Sequence, residues 1–209
     1  MSESDIKNVI EAALLAAGRP VSVAELAELF DEFARPAHEA IEAALAGLAA
    51  DYEGRGIRLA EVASGYRVEV RAELARPVSR LWQERPARYS RALLETLALI
   101  AYRQPITRGE IEDIRGVAVN PNIVRTLLER SWVRVIGHRE VPGRPELLAT
   151  TREFLDYFGL KTLDDLPTLA QLKDVETLGV QLEFDAPAAP EASDVQQGAS
   201  PPDAAAAGD

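Results

Sequence analysis

The sequence predicts a mainly α-helical fold with small β-hairpin wings (α+β), built as two tandem winged-helix domains within 209 residues. Two observations predict it. A helix, helix, helix, β-hairpin order of apolar patterns runs through the chain twice. The stretch 20–26 also matches 105–111, and this offset of 85 residues is too long for a solenoid repeat and suits two small domains.

The first domain begins with three helical patterns. Apolar residues at helical spacing over 6–17 predict a first helix, and Gly18 follows it in a position suited to a C-terminal cap. A second helix is expected after Ser22. The same spacing over 37–48 predicts a third helix, with Pro36 in its first turn, where proline costs no hydrogen bond. The second helix is expected to bury four apolar side chains, those of Leu26, Leu29, Phe30 and Phe33.

A change of the apolar period from helical to two marks the first wing. Tyr66, Val68 and Val70 alternate with charged residues, and the run 57–63 precedes them across the pair Ser64-Gly65. Alternating residues on both sides of a glycine-containing turn are typical of a β-hairpin. Helix, helix, helix and hairpin together give the element order of a winged helix.

The second domain repeats these patterns. Helices are expected around 93–101, 111–114 and 124–128. Val133 and Val135 on one side, and 147–149 on the other, flank a longer segment that carries arginines. They predict a second wing with a longer tip than the first.

Ser or Thr followed three residues later by Glu marks three helix starts. Ser22 and Glu25 form the first pair, Thr107 and Glu110 the second, and the third lies in 150–153. In such a capping box the hydroxyl accepts a hydrogen bond from an amide of the first turn, and the carboxylate accepts one from the amide of the cap residue. Because the first two boxes occupy the same place in the element order, they favour a duplication.

These patterns and the composition divide the chain into five parts. They are an N-terminal winged-helix domain (1–75), a connector with two prolines (76–88), a C-terminal winged-helix domain (89–167), a peripheral helix or extension (168–185) and an acidic Ala/Pro-rich tail (186–209). The tail is expected to be disordered, because its composition buries too little apolar surface to offset the entropy of ordering.

The net charge of −11 is distributed unevenly. Residues 1–75 carry 7 basic and 14 acidic side chains, 76–152 carry 14 arginines against 8 acids, and 153–209 carry 2 and 12. Attraction to phosphate depends on the field of the whole surface, so the chain is not a generic nucleic-acid binder. The arginine-rich middle suits contact with an acidic partner or with DNA.

The composition favours a cytoplasmic protein without catalytic, cofactor or metal sites. The absence of cysteine excludes disulfides, thiolate nucleophiles and cysteine-held metals. No apolar run approaches the roughly 20 residues that span a bilayer, and the acidic start is unlike a signal peptide. The two histidines, His38 and His138, are 100 residues apart and lack metal-ligand companions, and no nucleotide-binding or nucleophile motif occurs.

A dimeric winged-helix transcription regulator is the alternative function. A recognition helix presents donors to phosphates and bases in the major groove. The third helix of the first domain carries His38, Glu39, Glu42 and Asp51 and not one Lys or Arg, which makes this domain a poor DNA reader. The corresponding stretch of the second domain, 120–131, has Arg125 and Arg130 against one glutamate, so weak backbone contact stays open there.

The second half of the chain closely resembles the bacterial segregation and condensation protein B family. The resemblance rests on 89–107, 110–117, 127–130, 141–145, 153–160 and 163–167, and the family pattern covers roughly 6–167. The sequence departs from that pattern at Ser131, Trp132 and Ala149 and over 120–122. A long ordered string of this kind is specific, whereas the match of the first half is looser.

The resemblance implies a non-catalytic subunit of the bacterial condensin-like complex. It implies a homodimer formed mainly through the N-terminal domain, which clasps the kleisin subunit, segregation and condensation protein A. Through the kleisin it would meet the structural-maintenance-of-chromosomes ATPase and support chromosome condensation and segregation during cell division. Such a protein would lie in the cytoplasm at the nucleoid, away from membranes, with DNA contact only weak or within the assembled complex.

Two residue sets are expected to carry these contacts. Small apolar side chains of the third helix would allow close packing against a second copy; they are Ala37, Ala40, Ala44 and Leu48. Arginines of the C-terminal domain and the interdomain groove would bind an acidic kleisin segment through fork-like hydrogen bonds; they are Arg103, Arg115, Arg144 and Arg152.

Overall fold

The structure, a computed structural model, describes residues 3–81 and 89–168. The expectations for most of the connector, for the extension after Thr168 and for the acidic tail therefore fall outside the described residues. We call residues 3–81 the N-terminal unit and residues 89–168 the C-terminal unit.

Four α-helices and one β-hairpin make up the N-terminal unit. In chain order they are α1 (Glu3–Ala17), α2 (Val23–Glu28), a 3-10 turn (Glu32–Ala34), α3 (His38–Asp51), β1 (Ile57–Val62), β2 (Gly65–Val70), α4 (Ala72–Val78) and a 3-10 turn (Ser79–Leu81). The helix, helix, helix, hairpin order predicted for this half is confirmed.

The same order returns in the C-terminal unit. Its elements are α5 (Arg91–Arg103), β3 (Ile106–Thr107), α6 (Arg108–Arg115), α7 (Pro121–Glu129), β4 (Val133–His138), β5 (Glu146–Thr150), α8 (Arg152–Tyr157) and a 3-10 turn (Leu163–Asp165). The described part of the chain is thus an α+β fold that is mainly helical, as predicted.

Each unit has its own hydrophobic core. In the N-terminal unit, α1, α2 and α3 bury Ile10, Leu26 and Ile41 completely. In the C-terminal unit, Ile111 and Trp132 lie in a second cluster that no buried residue of the first joins. Two clusters with separate membership are what a duplicated domain predicts.

The wing of each unit makes one additional β-pairing that the sequence patterns did not predict. β1 and β2 pair antiparallel from Ile57↔Val70 to Val62↔Gly65, and Val21 forms an isolated bridge to Tyr66. In the C-terminal unit β3 pairs with β5 through Ile106↔Leu148, giving a three-stranded sheet of order β3-β5-β4. In both units the residue before the helix-capping Ser or Thr pairs with the second strand of the wing, as an isolated bridge at Val21 and as part of strand β3 at Ile106, which strengthens the case for duplication.

The burial of two apolar side chains was predicted wrongly. Leu26 and Phe30 are buried, but Leu29 is half exposed and Phe33 is fully exposed. The reason is that α2 ends at Glu28 and a 3-10 turn follows at Glu32–Ala34, so the helical spacing that placed all four residues on one face does not continue.

Three local details also differ from the prediction. Helix α3 begins at His38 with Ala37 as its N-cap, so Pro36 precedes the helix instead of lying in its first turn. Helix α4 runs through Arg76 into the segment expected to be a connector. The start of α8 is capped by Thr151, whose hydroxyl accepts from the Phe154 amide, so 150–153 does not form the expected capping box.

Candidate partner-binding cavity

A cavity of about 740 Å³ opens where the first wing meets the C-terminal unit. The wing contributes Ala63, and the rest of the lining comes from the C-terminal unit. Those residues are Gln104, Arg134, Thr150, Thr151, Arg152, Glu153, Leu155, Lys161, Thr162 and Leu163. The cavity therefore lies mainly in the C-terminal unit and borders the first wing at Ala63.

The turn of the first wing holds the units together at this place. The Ala63 amide donates to the Leu160 carbonyl oxygen at 2.9 Å, and the Ser64 amide donates to Asp156 Oδ1 at 2.9 Å. Lys161 forms an ion pair with Glu61 of β1, and this hydrogen-bonded carboxylate raises the pKa of the lysine. Two hydrogen bonds from backbone amides and one ion pair therefore hold the first wing against the C-terminal unit beside the cavity.

The polar residues on the inner wall are already hydrogen-bonded to one another. Gln104 Oε1 accepts from both the amide and the hydroxyl of Thr150, at 2.7 and 2.9 Å, while its Nε2 donates to the Ala101 carbonyl at 3.1 Å. The hydroxyl of Thr151 donates to the Ser131 carbonyl. This wall fixes the end of α5 against β5 and α8, and it leaves the cationic side chains as the groups available to a ligand.

Arg134 and Arg152 are those cationic side chains. Both are exposed, and neither forms a hydrogen bond or an ion pair with another residue of 3–81 or 89–168. Each guanidinium carries donors in a planar fork that matches a carboxylate. Lys161 is engaged by Glu61, and Glu153 is the one acidic side chain in the lining. The cavity is thus suited to an anionic group entering from solvent.

The structure brings one of the four arginines expected at the partner site into the cavity. Arg152 lines it, whereas Arg103 lies exposed at the end of α5 with no partner among the described residues. Arg144 lies at the tip of the second wing in an ion pair with Glu140, at 3.1 Å. The expected set does not converge on one place.

The side chain of Arg115 is held by contacts within the C-terminal unit. Its side chain is 12% exposed, its Nη2 donates to Glu95 Oε2 at 3.1 Å, and its buried Nε has no partner among the described residues. Arg91, and after it Arg115, lower the pKa of Glu95 by hydrogen bonding to it. A guanidinium held in this way joins α6 to α5 and offers little surface to a partner.

Arg134 was missed by the sequence reasoning. It follows the buried Val133 on β4, and the period of two that predicted the strand also places its side chain on the face opposite to Val133. Which cavity that face borders depends on residues distant in the sequence, such as Gln104 and Lys161, and no local pattern contains that information.

The expected dimer residues divide into two pairs. Ala44 and Leu48 are buried in the core of their own unit, so they have no surface with which to contact a second copy. The stripe was misassigned because the apolar face of α3 that looked suited to a twin is the face that packs on α1. Ala37 is exposed and Ala40 half-buried, and for these two the dimer contact stays a prediction.

The arginines that left DNA contact open are engaged within the chain. Arg125 pairs with Glu129 on α7 at 2.8 Å. Arg130 donates to the Tyr89 hydroxyl at 2.7 Å and lies over the rings of Tyr89 and Trp132, at 4.8 and 5.4 Å from their centroids. Helix α7 therefore presents no unpaired cation to a phosphate backbone.

Residues 3–81 and 89–168 contain no helix long and apolar enough to cross a membrane. Within the same ranges, no group of three or more His, Asp or Glu side chains is placed to hold a metal ion. His38 lies 3.3 Å from Glu42 on the exposed face of α3.

Comparison with known proteins gives one consistent result. The family model of the segregation and condensation complex subunit ScpB matches residues 8–169. The segregation and condensation protein B homolog of Coxiella burnetii is 52% identical over 181 residues, which cover 87% of each chain. The protein of the same name from Syntrophotalea carbinolica is 45% identical over 187 residues, covering 88% of this chain and 92% of the relative.

Among solved structures, ScpB from Mycobacterium tuberculosis is 34% identical and covers 77% of this chain and 98% of its own, with a TM-score of 0.36. A structure described as a dimer of the ScpB N-terminal domain complexed with a ScpA peptide is 26% identical. It covers 38% of this chain and 96% of its own, with a TM-score of 0.34.

Proposed function

The chain belongs to the family of the segregation and condensation complex subunit ScpB, and from that premise we propose that it is a non-catalytic subunit of a bacterial condensin-like complex. In this proposal it homodimerises through the N-terminal unit and binds the kleisin subunit, segregation and condensation protein A. The kleisin connects it to the structural-maintenance-of-chromosomes ATPase. Its place of action is the cytoplasm, at the nucleoid.

The cavity between the units is the observation that carries the kleisin proposal. Arg134 and Arg152 stand at it unpaired among the described residues, and the hydrogen-bonded inner wall provides a fixed concave surface. An acidic side chain of an extended kleisin segment would complete both guanidinium forks. Arg103 extends the proposed surface along α5. Arg115 and Arg144 would each have to break an ion pair with a glutamate before binding the kleisin. We therefore assign them a smaller contribution to the binding free energy.

We assign the protein no reaction. His38 is engaged with Glu42, and three carboxylates with a lowered pKa, Glu25, Glu110 and Glu112, are tied to backbone amides at helix starts and loops. These arrangements stabilise local structure and present neither a nucleophile nor a base to a cleft.

DNA reading by a transcription regulator is the disfavoured alternative. α3 carries acidic residues without a compensating Lys or Arg, and the arginines of α7 are engaged by Glu129 and by the aromatic rings. A winged-helix regulator would bind duplex DNA with sequence selectivity and a steep dependence on salt concentration. The proposed subunit is expected to show no such selectivity.

The domain division that goes with this proposal keeps 1–75 and 89–167 as the two winged-helix domains. The two separate hydrophobic cores support it. Helix α4, which spans Ala72–Val78, indicates that the first boundary lies nearer residue 81.

Isothermal titration calorimetry of the full chain against its purified kleisin subunit tests the proposal. We expect the double variant Arg134→Glu/Arg152→Glu to bind roughly 100-fold more weakly, because two unpaired cations become anions facing an acidic segment. The variant Arg91→Glu/Arg125→Glu is the matched control, since it reverses two exposed helical arginines of the same unit that do not line the cavity.

The kleisin affinities of the variants and of the unaltered chain distinguish a wrong binding site from a wrong function. Full affinity in the cavity variant with a normal circular dichroism melt would exclude the cavity as the kleisin site. In that case Arg103→Glu and Arg115→Glu/Arg144→Glu test the three remaining predicted arginines in the same assay. No measurable kleisin binding by the unaltered chain would contradict the proposed function itself.

A further inference from the structure

The segment between α2 and α3 presents large apolar side chains to solvent although its base is anchored in the core. Leu26 and Phe30 are buried in the N-terminal core. Leu29 is 51% exposed, and the ring of Phe33, four residues further on, is fully exposed in a 3-10 turn. The anchoring residues fix the segment against the core. The exposed side chains of Leu29 and Phe33 therefore belong to an ordered surface of the N-terminal unit.

Three charged residues flank Phe33, and the side chains of all three are available for contact with a partner. Asp31 and Glu32 precede it, and Arg35 follows it two residues later. Their side chains make no hydrogen bond or ion pair with any residue of 3–81 or 89–168. On either side of this segment, Arg19 is paired with Glu25 and His38 with Glu42.

We propose that this surface, which we call the Phe33 surface (residues 29–37), is the site at which a second copy of the chain docks. The inference rests on the homodimer of the proposed function and adds the contact that forms it. In a two-fold contact, residue i of one copy meets residue j of the other and the reverse holds as well. The order acid, acid, Phe, Ala, Arg is complementary to itself under that rotation. Phe33 lies at the centre, and Arg35 of each copy reaches the acidic pair of the other.

The charges favour a second copy over an acidic partner. The N-terminal domain carries twice as many acids as bases, and Asp31 and Glu32 stand at the surface itself, so an acidic kleisin segment meets repulsion there. A second copy offers both signs in the reversed order. The surface also runs into Ala37 and Ala40, the two predicted dimer residues that do have exposed or half-exposed side chains. An aromatic residue at the middle, with charges at the rim, is the composition expected of an interface hot spot.

Two complementary charge reversals test the geometry. One variant carries Arg35→Glu, and the other carries Asp31→Arg with Glu32→Arg. In either homodimer the two-fold axis sets like charges against each other, so we expect each variant alone to dissociate at least about tenfold more readily than the unaltered chain. Mixed together, the two variants restore both opposite-charge contacts. We expect a heterodimer that forms in preference to either homodimer, measured by analytical ultracentrifugation with one variant fluorescently labelled.

The apolar centre is tested with Phe33→Glu. We expect its dimer dissociation constant to rise roughly 100-fold, because the substitution removes the central aromatic contact and adds a repelling charge twice per dimer. Ile114→Glu is the matched control, since Ile114 is an exposed apolar residue of the C-terminal unit. It is expected to leave the dissociation constant unchanged, and circular dichroism melts check that each variant is folded.

The results distinguish this inference from the proposed function. If the unaltered chain is a dimer and neither Phe33→Glu nor the mixed charge variants change its dissociation, the dimer uses another surface, and this inference is overturned while the homodimer stands. If the unaltered chain sediments as a monomer throughout the micromolar range, the homodimer and its contact are both overturned. Kleisin binding is measured separately at the cavity and is independent of either result.

Discussion

The two units have the same plan and use their wings in opposite ways. The tip of the first wing is short, and its Ala63 and Ser64 amides are bound by the C-terminal unit. The tip of the second wing is long and exposed from Arg139 to Arg144, and the strands below it shift register between Val135 and Gly137. With the same element order in both units, one wing thus holds the molecule together and the other is exposed to solvent.

The helix starts of the two units have the same backbone contacts and different surface partners. Ser22 and Glu25 form a complete capping box, as do Thr107 and Glu110. Each glutamate also binds an arginine, but Glu25 binds Arg19 from the preceding turn while Glu110 binds Arg139 from the wing tip. The capping of the helix start is the same in both units, whereas the arginine that binds each glutamate comes from a different part of the unit.

The largest expected losses in the free energy of unfolding come from core substitutions, and they test whether the two hydrophobic cores contribute equally to stability. Leu26 and Ile111 occupy the same place, four residues after the cap, and both are completely buried. We expect Leu26→Ala and Ile111→Ala each to lower the free energy of unfolding by about 2–5 kcal/mol, from lost burial and the cavity left behind. Urea unfolding followed by circular dichroism measures both. A loss well under 1 kcal/mol for one variant alone would break the equivalence.

A glycine substitution sharpens the comparison of the wings. Gly65 has φ of +139°, and a Cβ there would lie 2.2 Å from the Val21 carbonyl oxygen. We expect Gly65→Ala to cost roughly 1–3 kcal/mol for the backbone conformation alone, with the Val21–Tyr66 bridge lost in addition. Gly143, at the second wing tip, has φ of +86° and open space around it, so Gly143→Ala is expected to cost about 1–2 kcal/mol. Equal melting temperatures for the two variants would contradict this difference.

The element order and most of the core could be read from the sequence because they depend on local periodicity. The capping boxes at Ser22 and Thr107 were identifiable because a hydroxyl and a carboxylate at fixed spacing suffice to make them. The exposure of Phe33 was not readable, since it depends on where α2 ends. The third strand at Ile106–Thr107 was missed because two residues carry no period.

The candidate site was less predictable than the fold for a related reason. Arg152 was predicted as a contact residue and lines the cavity, Arg134 lines it without having been predicted, and Arg115 is engaged by Glu95. Whether an arginine is free or paired depends on residues distant in the sequence, and a cavity between two units depends on their docking. Ala44 and Leu48 illustrate the same limit, because a small-residue stripe fits a core as well as an interface.

The next prediction concerns the hydrogen bond by which the Ser64 amide joins the first wing to Asp156 of the C-terminal unit. Asp156→Ala removes the acceptor of the Ser64 amide, and we expect a loss of about 1–2 kcal/mol in the free energy of unfolding. Glu140→Ala breaks the exposed pair with Arg144 at the second wing tip, and its cost is expected to stay within about 0.5 kcal/mol. Thermal melts of both variants check the contrast, and a larger loss for Glu140→Ala would reverse the roles given to the two wings.

The smallest effect is the acid sensitivity of the capping boxes. The Ser22 amide, together with Arg19 and the Ser22 hydroxyl, lowers the pKa of Glu25 to about 2, and the Thr107 amide lowers the pKa of Glu110. A folded-state pKa below the unfolded one gives stability that is present above about pH 4.5 and is lost as the pH falls through the folded value. We therefore expect Glu25→Gln to lower the midpoint of urea unfolding slightly at neutral pH and to match the unaltered chain near pH 2.

Glu110→Gln provides the matching measurement in the other unit, with the same sign. Its carboxylate also binds Arg139, so at neutral pH we expect this variant alone to increase hydrogen–deuterium exchange at the second wing tip. Glu25→Gln is expected to leave exchange at the first wing unchanged, because that wing is held by Leu160 and Asp156. Equal exchange at both wings in the two variants would mean that the arginine partners of the two glutamates do not distinguish the units.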